Sequence, residues 1–163
     1  MEYMDHETMI YSKVGLNQLI QVVCKSFANI LKEKEITLEL SLYKEEIWLD
    51  IDLLKIESVL YNLLSNAVKF VPKKDGKIIV KSDKDEETSN VRLSISDNGI
   101  GIDEQEQKLI WLRLYQGKNN KDNAKGVGIG LYLVKKFVSM HGGEITVDSK
   151  VGKGTTFEIT LPL

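Results

Sequence analysis

Apolar residues recur at Leu16, Ile20, Val23, Phe27 and Leu31, the spacing of one helix face, and predict a helix from Leu16 to Lys34. Residues 1–15 before it show no clean period and read as a tail or linker. Ile36–Leu42 alternates as a half-buried strand does, and Ile47–Leu49 is a second short strand candidate. Asp52 is placed to cap a helix running to Phe70, with Ile56, Val59, Leu60, Leu63 and Leu64 as its buried stripe and Pro72 as its stop. Lys77–Ser82 and Val91–Asp97 read as a hairpin around the charged stretch Asp83–Asn90. A short helix is expected near Glu104–Leu112, and the polar stretch Gly117–Gly126 reads as a mobile lid. Gly130–Met140 is helical and His141-Gly142-Gly143 stops it. Glu144–Ser149 and Thr155–Leu161 form a last hairpin about Val151–Gly154. Helices interspersed with hairpin-connected strands make an α+β sandwich, one domain over residues 16–163.

Composition narrows this little further. The chain has 163 residues, 42% of them hydrophobic and 28% charged, as in an ordinary globular domain with a core of its own. A net charge of −2 gives no footprint for nucleic acid as a partner. Cys24 is the single cysteine, which excludes an intramolecular disulfide and suits a reducing compartment. There is neither a signal-peptide pattern nor an apolar run of the ~18 residues that a spanning helix needs, so no direct membrane insertion is expected.

Three segments carry candidate chemistry. Asn62, Asn66 and Lys69 stand at i, i+4 and i+7 and share a helix face. Carboxamide oxygens are hard neutral ligands suited to Mg²⁺, and a lysine can reach a phosphate as a point charge. The same three residues also suit a solvated helix face. Asp97 ends a strand before Asn98-Gly99-Ile100-Gly101. Its carboxylate only accepts hydrogen bonds, so it would take the exocyclic amine of adenine and repel the carbonyl of guanine; a plain Asp-Asn-Gly turn is the other reading. Gly126, Gly128 and Gly130 precede a helix, where backbone N–H groups can approach phosphates, or they form a flexible loop. Gly154-Thr155-Thr156-Phe157 alone is a strand start. His141 at a helix end suits a core role, His6 is an incidental residue of the tail, and Cys24 is a small core residue. Trp111, Leu114 and Tyr115 suit packing.

Taken together and in this order, the segments resemble the ATP-binding catalytic domain of bacterial sensor histidine kinases, of the superfamily shared with gyrase, Hsp90 and MutL. The resemblance covers about residues 16–163. It implies the Bergerat fold: a mixed, mostly antiparallel sheet packed on one face by about three helices, with ATP under a lid. The N box, Asn62–Phe70, makes Asn66 the Mg²⁺ ligand, Lys69 a phosphate contact, Asn62 a catalytic group beside them and Phe70 a flank of the nucleotide. The G1 box makes Asp97 the adenine reader, with Gly99 and Gly101 in its loop. The G2 box, Gly126–Leu131, sets Gly128 and Gly130 against the phosphates with Lys125 nearby, and the G3 segment, Gly152–Phe157, adds Thr155 and Thr156.

Three departures from the family pattern matter. Trp111 and Leu114 stand where the F box has two phenylalanines. Val127 replaces a threonine or glutamine, leaving Lys121, Lys125 or Arg113 to compensate. Asn62 replaces the glutamate that serves ATP-hydrolysing members and anti-sigma serine kinases as general base. An amide accepts no proton, whereas a neutral imidazole acceptor is already nucleophilic near pH 7.

The resemblance therefore implies transfer of the ATP γ-phosphoryl group to a histidine on a dimerisation domain, and onward signalling to the receiver domain of a response regulator. This chain is expected to be a piece of a longer sensor kinase, monomeric by itself and cytoplasmic, with a parent protein free or anchored in the cell membrane. The alternative is a degenerate nucleotide-sensing or scaffolding domain without transfer.

Overall fold

The computed structural model describes residues 7–115 and 130–163. The first element is a strand, β1 (Tyr11–Gly15), followed directly by α1 (Leu16–Ser26) and α2 (Ala28–Glu33). β2 (Thr37–Ser41), β3 (Trp48–Asp52) and α3 (Leu53–Phe70) come next, then the hairpin β4 (Lys77–Asp85) and β5 (Asn90–Asp97). After the undescribed stretch come α4 (Gly130–Met140) and the hairpin β6 (Glu144–Lys150) and β7 (Gly154–Pro162).

Five strands form one sheet in the order β2-β4-β5-β7-β6. β2 runs parallel to β4 and the other pairings are antiparallel. Strand alternation sorts the two faces. Ile78, Val80, Val91, Leu93, Ile95, Phe157, Ile159 and Leu161 are buried under the helices. Lys81, Arg92 and Glu158, one position out of phase, are exposed on the open face. Leu16 and Ile20 of α1, Ile56, Leu60 and Leu63 of α3, and Val134 and Val138 of α4 complete the core. The mixed, mostly antiparallel sheet with one helical face is the expected architecture; the described helices number four, one of them only six residues long.

Three local expectations are corrected. Residues 11–15, read as tail, pair antiparallel with β3 from Tyr11↔Asp52 to Gly15↔Trp48. The single helix expected from Leu16 to Lys34 breaks at Phe27. There Ser26 Oγ donates back to Val23 O at 2.5 Å and Phe27 N bonds the i−3 carbonyl of Cys24, which tightens the turn. Phe27 and Leu31 stay buried across the break, so the apolar phase does not reveal it. The helix expected at Glu104–Leu112 is a chain of separate turns. Glu106 and Gln107 both donate to Asp103 O, and Leu109 and Ile110 both donate to Glu106 O, so no continuous ladder forms. The lid expected at Gly117–Gly126 lies outside the described residues, as does His6.

The helix ends that frame the site follow local rules. Asp52 caps α3 by accepting from Lys55 N at 3.3 Å, and Val71, before Pro72, turns extended at ψ 152°. α1 has glycine at its N-cap and borrows a carboxylate instead: Glu46 accepts from Asn17 N at 2.7 Å and Gln18 N at 3.1 Å. α4 ends with Gly142 at φ +73° and Gly143 N donating to Val138 O.

Candidate nucleotide site

The C-terminal end of α3 lies against the loop that follows β5. Ile100 N donates to Phe70 O at 3.2 Å. A Cβ at Gly99 would stand 2.5 Å from Phe70 O, so only glycine lets the loop come this close. Gly101, at φ +76°, would bring a Cβ within 2.1 Å of Lys150 O. The loop is thus pressed between α3 and the β6–β7 turn, where Gly152 N donates to Ile100 O at 2.8 Å.

Asp97 ends β5 on the helix-covered face and sits directly opposite Thr155 in register. Its Oδ1 accepts from Gly99 N at 2.8 Å. Burial pushes its carboxyl above the ordinary carboxylate range, against the opposing pull of the Gly99 and Thr155 N–H groups.

Along α3, Asn66 is half-buried, and among the described residues its carboxamide makes no hydrogen bond. Lys69 is exposed, with Nζ 5.4 Å from the centroid of the half-buried Phe70 ring. Asn62 is differently engaged. Its Nδ2 donates to Ser58 O at 2.7 Å and lies 3.3 Å from Ser58 Oγ. Its Oδ1 faces the first residue of α4, 2.9 Å from where a Gly130 Cβ would be. Asn62 therefore gauges the contact between α3 and α4. Leu131 packs half-buried against the core. Lys121, Lys125, Gly126, Val127 and Gly128 lie outside the described residues.

The two threonines part company. Thr155 is 6% exposed and its hydroxyl lies 2.8 Å from Ser149 Oγ. Thr156 points to the open face and pairs with Ser96 Oγ at 2.8 Å, because neighbours on a strand face opposite ways. The structure therefore does not bring Thr156 together with Asp97. Of the two F-box positions, Trp111 packs edge-on to Phe157 at 5.9 Å, with Lys135 Nζ 5.6 Å from its ring. Leu114 is 65% exposed at φ +65°, and Arg113 is exposed.

Sequence reasoning missed Ser149 and Gln107. Ser149 Oγ accepts from Ile102 N at 2.8 Å, and Gln107 Nε2 donates to both Ile102 O and Ser149 O at 3.0 Å, so the two side chains pin the far end of the glycine loop. One signal was available for Ser149: it is the polar member of the inward phase Ile145, Val147, Ser149. Among the described residues no group of three or more His, Cys, Asp and Glu side chains converges.

This arrangement can be set beside known proteins. The family model described as histidine kinase-, DNA gyrase B- and HSP90-like ATPase matches residues 50–163. The sensor histidine kinase TmoS of Ectopseudomonas mendocina is 36% identical over 154 residues, covering 94% of this chain and 16% of its own length. The sensor histidine kinase WalK of Bacillus subtilis (strain 168) is 36% identical over 132 residues, covering 80% of this chain and 21% of its own. The chain thus spans only a small part of these relatives. The nucleotide-free catalytic domain of the histidine kinase ThkA superposes with a TM-score of 0.83 at 26% identity, covering 94% of this chain and 96% of that one. With the matched region well over half its length, the chain belongs to the histidine kinase-, DNA gyrase B- and HSP90-like ATPase family, as a catalytic domain of the sensor histidine kinase type.

Proposed function

We propose that this domain binds ATP with Mg²⁺ and passes the γ-phosphoryl group to a histidine on a dimerisation domain of its parent kinase. The observation that carries the reading is the Phe70–Ile100 contact, which sets the C-terminal end of α3, the helix of Asn66 and Lys69, against the Asp97–Gly101 loop. Asp97 accepts the 6-amino group of adenine, with Gly99 and Gly101 shaping the loop and Phe70 flanking the base. Asn66 offers its uncommitted carboxamide oxygen to Mg²⁺, a fit to that ion's preference for a few protein oxygens beside phosphate and water. When bound, Mg²⁺ neutralises phosphate charge. Lys69 meets the phosphates as a second cation, and the start of α4 at Gly130 presents N–H groups to them. Lys125, Gly126 and Gly128 belong to the same phosphate-side set by sequence.

In the transfer, the lone pair of a neutral imidazole attacks the γ-phosphorus and the bond to the β-bridging oxygen breaks. ADP leaves with that electron pair, and the imidazole gives up its ring proton to solvent. The Asn62 amide, whose Nδ2 donates to Ser58 O, is no base, so water activation is disfavoured and the acceptor brings its own nucleophile. The phosphohistidine then serves the receiver domain of a response regulator, which locates the reaction in the cytoplasm. Among the described residues no helix is long and apolar enough to cross a membrane.

The test is calorimetric titration with Mg·ADP and Mg·GDP, beside Asp97→Ala, followed by incubation of Mg·ATP and the chain with a histidine-bearing dimerisation domain. Binding of ADP alone, lost in Asp97→Ala, with acid-labile phosphate on the acceptor, is the expected result. Binding without transfer would instead make this a nucleotide-sensing domain.

A further inference from the structure

Asn98 is exposed, yet both ends of its carboxamide are committed. Its Oδ1 accepts from Lys77 N at 2.8 Å, and its Nδ2 donates to Asp75 O at 2.7 Å. Its own backbone N–H donates to Lys77 O at 3.3 Å. One side chain therefore brackets Gly76, the last residue of the loop that joins α3 to β4. The pattern asks for an acceptor and a donor on one short planar group, which a carboxamide has and a carboxylate lacks.

The bracketed loop is tight. Asp75 lies at φ +59°, a left-handed conformation that a side-chain residue keeps only where its surroundings hold it. Gly76 is buried, and a Cβ there would stand 3.1 Å from Pro72 O and 3.2 Å from Val71 Cβ. The loop thus closes on the two residues that follow α3. Val71 N in turn donates to Ala67 O, the bond that closes the last turn of the helix. The stretch after Asp97 therefore grips the end of α3 from two sides. Ile100 N holds Phe70 O directly, and Asn98 holds the loop behind it.

We propose that Asn98 is a positioning residue for nucleotide binding: by holding Asp75 and Lys77 on either side of Gly76 it fixes the last turn of α3, and with it Lys69 and Phe70. The proposal rests on the reading of those two residues as nucleotide contacts and adds the residue that sets where they stand.

The Kd for Mg·ADP is measured on the 163-residue chain, with the melting temperature followed alongside so that positioning and stability separate. Asn98→Ala removes both side-chain bonds and is expected to raise the Kd roughly tenfold in a chain that still folds. Asp75 supplies an independent arm, because its side chain is exposed and only its carbonyl meets Asn98. Asp75→Gly and Asp75→Ile lose the same charge. Glycine takes a positive φ at no cost and should leave the Kd unchanged, whereas β-branched isoleucine does not fit there and should raise it as Asn98→Ala does. In the Asn98→Ala background Asp75→Ile should add little, since the bond it disturbs is already gone. An unchanged Kd in Asn98→Ala with only the melting temperature lowered would overturn the proposal and leave Asn98 a clamp for stability alone. The same factor for Asp75→Ile in both backgrounds would also overturn it, since the loop would then act without Asn98. Should Asn98→Ala not fold, the two Asp75 variants decide, and equal Kd values for glycine and isoleucine overturn the proposal. A wild type that binds no nucleotide would sink the reading of the site itself, a different failure from an Asn98 that leaves affinity alone.

Discussion

His141 Nε2 accepts the backbone N–H of Asp52 at 3.0 Å, which ties the end of α4 to the start of α3. The other ring nitrogen, Nδ1, meets Phe137 O at 2.6 Å and must be the protonated one, because a carbonyl only accepts. The ring is 9% exposed and lies edge-on to Tyr11 of β1. Three elements from distant parts of the chain therefore meet on one imidazole. The helices it joins are the two that carry Asn66 and Gly130. His141→Ala leaves the Asp52 N–H without its partner and opens a void, and it should cost about 2–4 kcal/mol. Denaturant unfolding measures it; a loss within the noise of a surface substitution would show that water replaces the ring without penalty.

Asp52 makes the same junction sensitive to acid. Its carboxyl is held below the ordinary value, first by Ile10 N–H and also by Lys55, whose Nζ is 3.1 Å from Oδ2. A depressed folded pKa means stability that is fully present above the unfolded value of 3.8 and is lost as pH falls through the folded value. Wild type should thus lose stability below pH 3.8 more steeply than Asp52→Asn, which lacks the titrating group. Melting temperatures followed down to pH 2.5 compare the two; parallel curves would remove Asp52 from the acid response.

Asp97 works in the opposite direction. Burial raises its pKa, so the fold loses stability as pH rises from 3.8 through the raised folded value. Asp97→Asn removes that cost while its amide oxygen can still accept from Gly99 N. The variant should be at least as stable as wild type at pH 7 and should lose its preference for ADP over GDP. Wild-type ADP affinity should also fall at a higher pH than an ordinary aspartate would give, since the reader must ionise. A destabilised Asp97→Asn chain with intact base preference would contradict both parts.

Much of this junction could be read in the sequence, and the reasons divide cleanly. α3 was legible from Asp52 to Pro72 because its cap, buried stripe and stop are all local. β1 was not, because Tyr-Ser-Lys-Val-Gly has no pattern of its own and is a strand only through pairing with β3. The break at Phe27 keeps the apolar phase on both sides, so periodicity passes over it. In the site, motif spacing placed Asn66, Lys69, Asp97 and Thr155 on the elements that meet. It could not separate Thr155 from Thr156, because the motif names both, whereas strand parity puts only Thr155 on the face of Asp97. Ser149 and Gln107 act through contacts that only the folded β6–β7 turn creates.

Asn66 and Lys69 stand on the same helix and should separate by ligand. Asn66→Ala puts a better helix former at a half-buried position, so the fold should hold while Mg²⁺-dependent ADP affinity drops on the order of tenfold. Lys69→Met keeps the apolar stem and loses the charge; it should weaken ATP more than adenosine, and the deficit should shrink as salt rises. Titrations with ATP, ADP and adenosine at two salt concentrations test both. Equal effects on adenosine and ATP in Lys69→Met would mean that the lysine acts through packing on Phe70.

The contact between Asn62 and Gly130 gives the last prediction. A methyl group at residue 130 would sit 2.9 Å from Asn62 Oδ1, closer than real Cβ atoms come. The amide cannot swing aside freely, because its Nδ2 is bound to Ser58 O. Gly130→Ala must therefore shift the start of α4, whose N–H groups are proposed to face the phosphates. Mg·ADP affinity should fall roughly tenfold although alanine favours the helix itself. Asn62→Ala removes the obstructing oxygen, so in that background Gly130→Ala should cost much less, a coupling that a double-mutant cycle measures directly. Additive losses would show that the start of α4 is set elsewhere and that Asn62 does not gauge it.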